Sequence, residues 1–113
     1  MSIKKSVVKT LTGSTTDIYE VPTNKKTQVT FMYLKNESGS TATAELDYYD
    51  SSETTTFAIL DGYSLQSKDT FELFGNDNKF LIIHSGDKIT ASATGSMTLI
   101  LSIIEHNDII QGG

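Results

Sequence analysis

Apolar and polar side chains alternate along most of this chain with a period of two residues. In the segment 88–94 the apolar positions are Ile89, Ala91 and Ala93, with Lys, Thr and Ser between them. In the segment 97–104 one face carries Met97, Leu99, Leu101 and Ile103. No stretch keeps the i, i+3, i+4, i+7 spacing of an amphipathic helix for three turns. The pattern therefore predicts an all-β protein.

Clusters of Ser, Gly, Asn and Asp divide the chain at short intervals and predict the turns. They lie at residues 38–40, 51–52, 61–62, 75–78, 85–87 and 95–96. Gly95 followed by Ser96 is typical of a two-residue type II′ hairpin, so we expect 88–94 and 97–105 to be antiparallel neighbours. Pro22 cannot donate a ladder hydrogen bond and should end a short edge strand. The spacing predicts a single antiparallel β-sandwich or jelly-roll-like domain of about seven to eight short strands.

The 113 residues suffice for one domain, and the pattern divides them into three parts. Residues 1–15 carry Lys4, Lys5 and Lys9 among apolar residues, which indicates either a first edge strand with protective lysines or an arm that docks on a partner. Residues 16–106 form the predicted sandwich. We expect residues 107–113 to be a flexible tail.

Two predicted strands, 29–34 and 97–104, are apolar on both faces. Either they are central strands covered on both sides, or their outer faces meet another subunit, because a two-layer sandwich leaves its outer faces to solvent. For 97–104 we favour the interface. Its outward positions, Ile100 and Ile104, are therefore candidates for self-association.

The charged residues exclude several classes of function. Fourteen acidic residues against nine lysines give a net charge of −5, and arginine is absent, which argues against nucleic-acid binding. There is no cysteine, so disulfides and thiolate chemistry are excluded. No signal peptide and no apolar run near the ~20 residues of a membrane span are present, so we expect no membrane partner.

Candidate chemistry is sparse. Residues 84–87 (His-Ser-Gly-Asp) contain the letters of a catalytic triad, but adjacent residues of one turn cannot form its geometry; we expect Asp87 to accept a bond from a nearby backbone N–H. The segment 47–50 offers at most a partial calcium site, and the Asn and Asp residues of 76–78 are explained by a turn without a metal. We therefore predict no enzymatic activity and no metal or cofactor. Another alternative is a sugar-stacking surface formed by Tyr48, Tyr49 and Tyr63.

A set of turn and strand motifs between Ile18 and Glu105 resembles the small β-sandwich virion proteins of tailed bacteriophages. The matching segments are Tyr19–Lys26, Leu34–Gly39, Asp47–Asp50, Ser85–Ile89 and Ser102–Glu105. Asn24 stands where glycine is usual in the first motif, but Asn tolerates a positive φ. The resemblance covers most of the chain and transfers no catalytic residue.

This resemblance implies a structural protein of the virion, located on the capsid surface. The leading expectation is a capsid decoration or cement protein that binds the major capsid protein, or another virion protein, and forms a homo-oligomer. Its docking arm would be Lys4, Lys5, Val7 and Lys9, and its self-association strand would carry Ile100 and Ile104. The alternative is a neck, tail or tail-fibre component, with a carbohydrate-binding role for the three tyrosines.

Overall fold

Two antiparallel sheets pack face to face in the computed structural model, which describes residues 2–74 and 80–108. The strands are β1 (Ser2–Leu11), β2 (Thr16–Glu20), β3 (Lys25–Asn36), β4 (Ala42–Asp50), β5 (Thr55–Leu65), β6 (Thr70–Leu73), β7 (Leu81–His84), β8 (Lys88–Ala93) and β9 (Met97–Asn107). The predicted all-β sandwich is confirmed. The described residues form nine strands instead of seven or eight, because two short strands, β6 and β7, pair with opposite ends of β3. The turn predicted at 75–78 lies outside the described residues.

The five-stranded sheet has the order β1-β9-β3, with β6 and β7 both on the far side of β3, and the four-stranded sheet has the order β2-β8-β4-β5. Strands β8 and β9 therefore lie in different sheets, and the predicted hairpin at Gly95 is wrong. Positive φ is absent at Gly95; instead, an added Cβ would lie 3.1 Å from the Cβ of Ala42. Glycine here allows the crossover between β8 and β9 to approach β4 closely, and it does not form a type II′ turn.

The core lies between the two sheets and follows the alternation of the sequence. The inward side chains of β9, Met97, Leu99, Leu101 and Ile103, are at most 1% exposed. Opposite them, β4 and β8 present mainly small residues, with Ala44, Ala91 and Ala93 also buried. Large side chains on one sheet thus meet small ones on the other, which lets the layers pack closely.

Pro22 and Asn24 have the local structure that the sequence predicts, whereas residues 61–62 do not form the predicted turn. Pro22 follows the edge strand β2, as predicted, and Asn24 has a φ of 63° in the next turn, which Asn can adopt. In contrast, β5 continues through Asp61 and Gly62, where a turn was predicted. Register shifts between β4 and β5 and a φ of 65° at Gly62 make this point an irregularity within the strand.

A buried carboxylate joins two turns at one end of the sandwich. Asp87 is 2% exposed and accepts hydrogen bonds from the backbone N–H groups of His84 and Ser51, both at 2.9 Å. The hydroxyls of Ser51 and Tyr48 also donate to it, at 3.0 and 2.9 Å. Burial raises the pKa of this carboxyl, but the four hydrogen bonds lower it further, so that the net pKa lies below its usual range. The expected backbone contact of Asp87 is confirmed.

Candidate assembly surface

On the outer face of the five-stranded sheet, apolar side chains of neighbouring strands lie side by side in rows. The register aligns Val8, Ile100 and Tyr33 across β1, β9 and β3 in one row. Ile104 and Ile82 lie two rows away, on β9 and β7. Together with Phe31, these residues form the apolar outer face: Val8, Phe31, Tyr33, Ile82, Ile100 and Ile104.

The apolar outer face is open to solvent to different degrees. Val8 is 60% exposed and Ile82 38%, whereas the other four side chains are half-buried by their neighbours. The rings of Phe31 and Tyr33 stack with centroids 6.2 Å apart, which holds two aromatic side chains on the same face of β3. Polar side chains are the norm on a solvated outer face, so a contiguous apolar patch indicates an interaction site.

A depression of about 370 Å³ lies beside these side chains. It is lined in part by Ser6, Ser102 and Ile104, with Lys4 at its border. A β-bulge at Thr30 shapes it, because the Thr30 hydroxyl turns toward β9 and donates to the Ser102 carbonyl at 3.1 Å. Small side chains in the middle of an apolar face leave room for a side chain of a partner.

The two broad faces of the sandwich differ in charge. The register places Lys4, Lys26, Lys35 and Glu72 on the outer side of the five-stranded sheet, where Glu37 also lies, 3.7 Å from the Lys35 ammonium. The outer side of the four-stranded sheet instead carries Asp17, Glu20, Glu45, Asp47 and Asp61, with Lys88 as the basic residue among the described positions of that face. The apolar patch therefore lies on the more basic side of an acidic protein.

On the acidic face, Asp47 is only 7% exposed. Burial, followed by the negative charges of Glu45 and Asp61, raises the pKa of Asp47 to about 6. Within the described ranges 2–74 and 80–108, no three His, Asp or Glu side chains are grouped so that they could hold a metal ion. The 76–78 segment of the calcium alternative falls outside those ranges.

The N-terminal segment forms an edge strand, one of the two forms that the sequence allowed. β1 pairs with β9 from Ser2 to Leu11. Lys5, Val7 and Lys9 point to the inner side of the sheet, like the buried Leu11, whereas Lys4 points to the outer face. The four residues of the predicted docking arm therefore do not share one surface, because successive side chains of a strand point to opposite faces.

The inner-side residues of β1 lie where this strand extends beyond the cover of the second sheet. Ile3 is 42% exposed, the Lys5 side chain is 48% exposed, Val7 is half-buried and Lys9 is exposed. We call Ile3, Lys5, Val7 and Lys9 the edge row. It offers two apolar and two basic side chains along about 20 Å of strand.

The three tyrosines of the sugar-stacking alternative do not form a common platform. Tyr48 packs against the core, with its hydroxyl bonded to Asp87, and Tyr49 points to the opposite face of β4, beside Lys88. Tyr63 lies on β5, with its ring 4.6 Å from that of Phe71. Successive side chains of a strand point to opposite faces of the sheet, so Tyr48 and Tyr49 cannot lie on one surface.

Ile100 and Ile104 both lie on the outer face, where the self-association hypothesis needs them. The apolar outer face is larger than that hypothesis stated, since Val8 and Ile82 belong to it. Val8 lies three residues before Leu11, the buried inward residue of β1, so the alternation along the strand places it on the outer face. Ile82 is one of four consecutive apolar residues, 80–83, and its two neighbours, Leu81 and Ile83, face the core.

Strand β9 includes Asn107, the first residue of the predicted tail. The side-chain carbonyl of Asn107 accepts a hydrogen bond from the Lys25 ammonium at 2.6 Å. The Asp108 N–H donates to the Asn24 carbonyl at 2.9 Å. These two contacts fix the positions of Asn107 and Asp108 against β3 and the turn before it; the remaining tail positions, 109–113, lie outside the described residues.

Comparison with known proteins gives a likeness of fold. No family model matches the chain, and no curated protein matches its sequence. The chain is similar to a solved structure of Bacillus endospore appendages, which form disulfide-linked pili, with a TM-score of 0.56 and 14% identity. The match covers 95% of this chain and 87% of that one. This likeness shows the fold; the 113 residues themselves contain no cysteine for a disulfide link.

No helix in the described residues is long and apolar enough to cross a membrane.

Proposed function

We propose that this chain is a non-enzymatic structural subunit of a phage virion, and that it decorates the capsid by binding the major capsid protein. The observation that carries the proposal is the presence of two separate uncovered surfaces, the apolar outer face and the edge row of β1. A decoration protein needs one surface for the shell and another for its own copies. The motif resemblance between Ile18 and Glu105 supports the virion as the place of assembly.

In this proposal the edge row binds the shell. Lys9 provides positive charge, and Ile3 and Val7 provide apolar area next to it, while the Lys5 ammonium is paired with the Glu105 carboxylate at 3.0 Å. Lysines on an edge strand oppose the addition of a further strand, so the contact uses side chains and not backbone pairing. A net charge of −5 opposes non-specific association of free copies, while the local basic row binds an acidic part of the shell.

In the same proposal the apolar outer face, including Ile100 and Ile104, joins copies of the chain to one another. Each contact can be weak, because binding to many equivalent positions on a shell multiplies the effect of a weak contact. The likeness to a protein of endospore pili supports a role in a repetitive assembly of subunits. It also favours a second candidate, a neck or tail component of the same fold.

The number of copies per particle tests the proposal. Purified virions should contain the chain, measured by quantitative mass spectrometry against the major capsid protein. Hundreds of copies are expected for a capsid decoration protein. About a dozen or fewer would favour the neck or tail, and absence from the particle would refute both.

A binding experiment with particles that lack the chain tests the edge row. Lys9→Glu should lower occupancy at least tenfold, because it reverses the charge of an exposed residue in the row. Thr56→Glu is the control, since Thr56 is an exposed position of β5 in the other sheet. Equal occupancy of the two variants would rule out the edge row as the docking surface.

A further inference from the structure

We infer that the apolar outer face binds the same face of a second copy, in a twofold arrangement that places Lys4 of each copy against Glu72 of its partner. The inference rests on the self-association part of the proposed function and adds the occupant, the symmetry and the ion pairs. It follows from the positions of charged and apolar side chains in the sheet.

The register defines three rows across the outer face. The first row contains Lys4, Ile104, Gln28 and Ile82. The second contains Ser6, Ser102 and Phe31, and the third contains Val8, Ile100, Tyr33 and Glu72. Lys4 and Glu72 thus occupy diagonally opposite corners, about 20 Å apart for ordinary strand spacing. Both side chains are exposed.

A twofold axis along the other diagonal, from Val8 to Ile82, exchanges these two corners. Lys4 of one copy then faces the partner's Glu72, and Glu72 faces the partner's Lys4. Val8 and Ile82 lie on the axis and meet their own counterparts. The strands of the two sheets cross at roughly 90°, which is one of the two established ways in which sheets pack.

The same symmetry gives a match of shape near the centre of the interface. It places Phe31 of each copy over the partner's depression between Ser102 and Ile104. The small Ser6 and Ser102 side chains leave space there for an aromatic ring. Aromatic residues that fill a pocket are frequent anchors of protein interfaces.

The positions of the charged side chains favour this orientation of the two copies over other orientations. Lys26 and Lys35 fall outside the overlap, so the lysines of the two copies do not oppose each other. Docking of the apolar face on the acidic face of another copy would instead bury carboxylates such as Glu45 against apolar side chains, which is costly without compensating bonds.

The contact is small. Because the two sheets cross at roughly 90°, their overlap is limited to the three rows, an area of about 14 by 14 Å, or roughly a quarter of the ~800 Å² per partner in a standard interface. A weak dimer is therefore expected for the free chain. Sedimentation equilibrium between about 1 µM and 1 mM covers the relevant range of affinities.

The test uses charge reversal in the full chain. Lys4→Glu and Glu72→Lys should each weaken dimerisation about tenfold or more, because each homodimer then contains two like-charged pairs. The double variant should restore the affinity to within about threefold of the original. An equimolar mixture of the two single variants should form heterodimers, since both pairs are then again of opposite charge.

Lys68→Glu and Glu53→Lys are the matched controls, because they reverse the same charges at exposed turn positions outside both proposed surfaces. They should leave dimerisation unchanged. Failure of both the double variant and the mixture to recover affinity would overturn the Lys4–Glu72 pairing. A chain that stays monomeric at all concentrations but still binds particles would overturn the inference and leave the proposed function standing. If Lys4→Glu and Glu72→Lys lose only particle binding, the face belongs to a different protein.

Discussion

The ammonium of Lys5 lies 3.0 Å from the carboxylate of Glu105, which is 3% exposed. The Tyr19 hydroxyl donates to the same carboxylate at 2.6 Å. Glu105 therefore links edge strand β1 of one sheet to edge strand β2 of the other. Burial raises the pKa of Glu105, but the bonds from Tyr19 and Lys5 lower it further, so the net pKa lies below its usual range.

Glu105→Gln should lower the free energy of unfolding at pH 7 by about 1–3 kcal/mol, because the charge-assisted bonds to Tyr19 and Lys5 are weakened in a buried position. Lys5→Met should cost less, about 1 kcal/mol or below, since half of the Lys5 side chain is in water. Chemical denaturation measures both, with Lys9→Met as the control on the same strand. A larger loss for Lys5→Met than for Glu105→Gln would contradict this account.

The pH dependence of Glu105 follows from its lowered pKa. Its contribution to stability is complete above the unfolded pKa of about 4.5 and is lost as the pH falls through the lower folded value. Unfolding experiments between pH 2 and 7 should therefore show a shallower acid loss for Glu105→Gln than for the original chain. Parallel curves would show that Glu105 has an ordinary pKa in the folded protein.

The alternation of apolar residues was sufficient to predict the sandwich and the inward face of β9. It could not assign strands to sheets, because Ala93 and Met97 would face a core equally well in a hairpin or in a crossover. The local turn signal at Gly95 was misleading for a related reason. Glycine there serves a contact with Ala42, which is 53 residues earlier in the sequence and invisible to local reasoning.

The candidate surface was predicted only in part. Ile100 and Ile104 were identified because their strand is apolar on both faces, a property that does not depend on the neighbours. Glu72 and Ile82 could not be connected with them, since their place beside β3 depends on the pairing of two short strands. The lysines of β1 were grouped by proximity in sequence, although alternation separates Lys4 from Lys5 and Lys9.

Asp47→Asn should stabilise the protein at neutral pH. The pKa of Asp47 is raised from 3.8 to about 6, so the folded state binds the proton more tightly than the unfolded state. Stability from this group is complete below about pH 4, falls as the pH rises to about 6 and is constant above it. Asn removes the charge, and we expect a gain of about 1–3 kcal/mol at pH 8.

The difference between Asp47→Asn and the original chain should grow between pH 4 and 6, as measured by urea denaturation. Glu53→Gln is the control, because Glu53 is exposed and lies in the turn between β4 and β5. A gain that is the same at pH 4 and pH 8 would show that the acidic cluster around Asp47 does not raise its pKa.

Gly86→Ala should destabilise the protein by about 1–3 kcal/mol. Gly86 has a φ of 86°, which L-residues rarely adopt, and an added Cβ would lie 3.1 Å from the Ser51 hydroxyl oxygen. A displaced Ser51 would also weaken its bonds to Asp87. Gly39→Ala is the control, since nothing lies within 4 Å of its added Cβ and its φ is not positive. Equal thermal stability of the two variants would exclude strain at Gly86.

Ile100 and Leu101 are neighbours in β9 but lie on opposite faces of the sheet. Replacing each of them with Ser therefore distinguishes an exposed association site from the core. Leu101 is fully buried, so its replacement should cost about 3–5 kcal/mol and leave much of the protein unfolded. Ile100 is half-buried on the outer face. Its replacement should lower the free energy of unfolding by about 1 kcal/mol and weaken dimerisation several-fold. Denaturation and sedimentation equilibrium measure the two effects separately. If Ile100→Ser unfolds the chain as readily as Leu101→Ser, the apolar outer face is part of the folding core; if it is stable and dimerises unchanged, copies of the chain do not meet through this face.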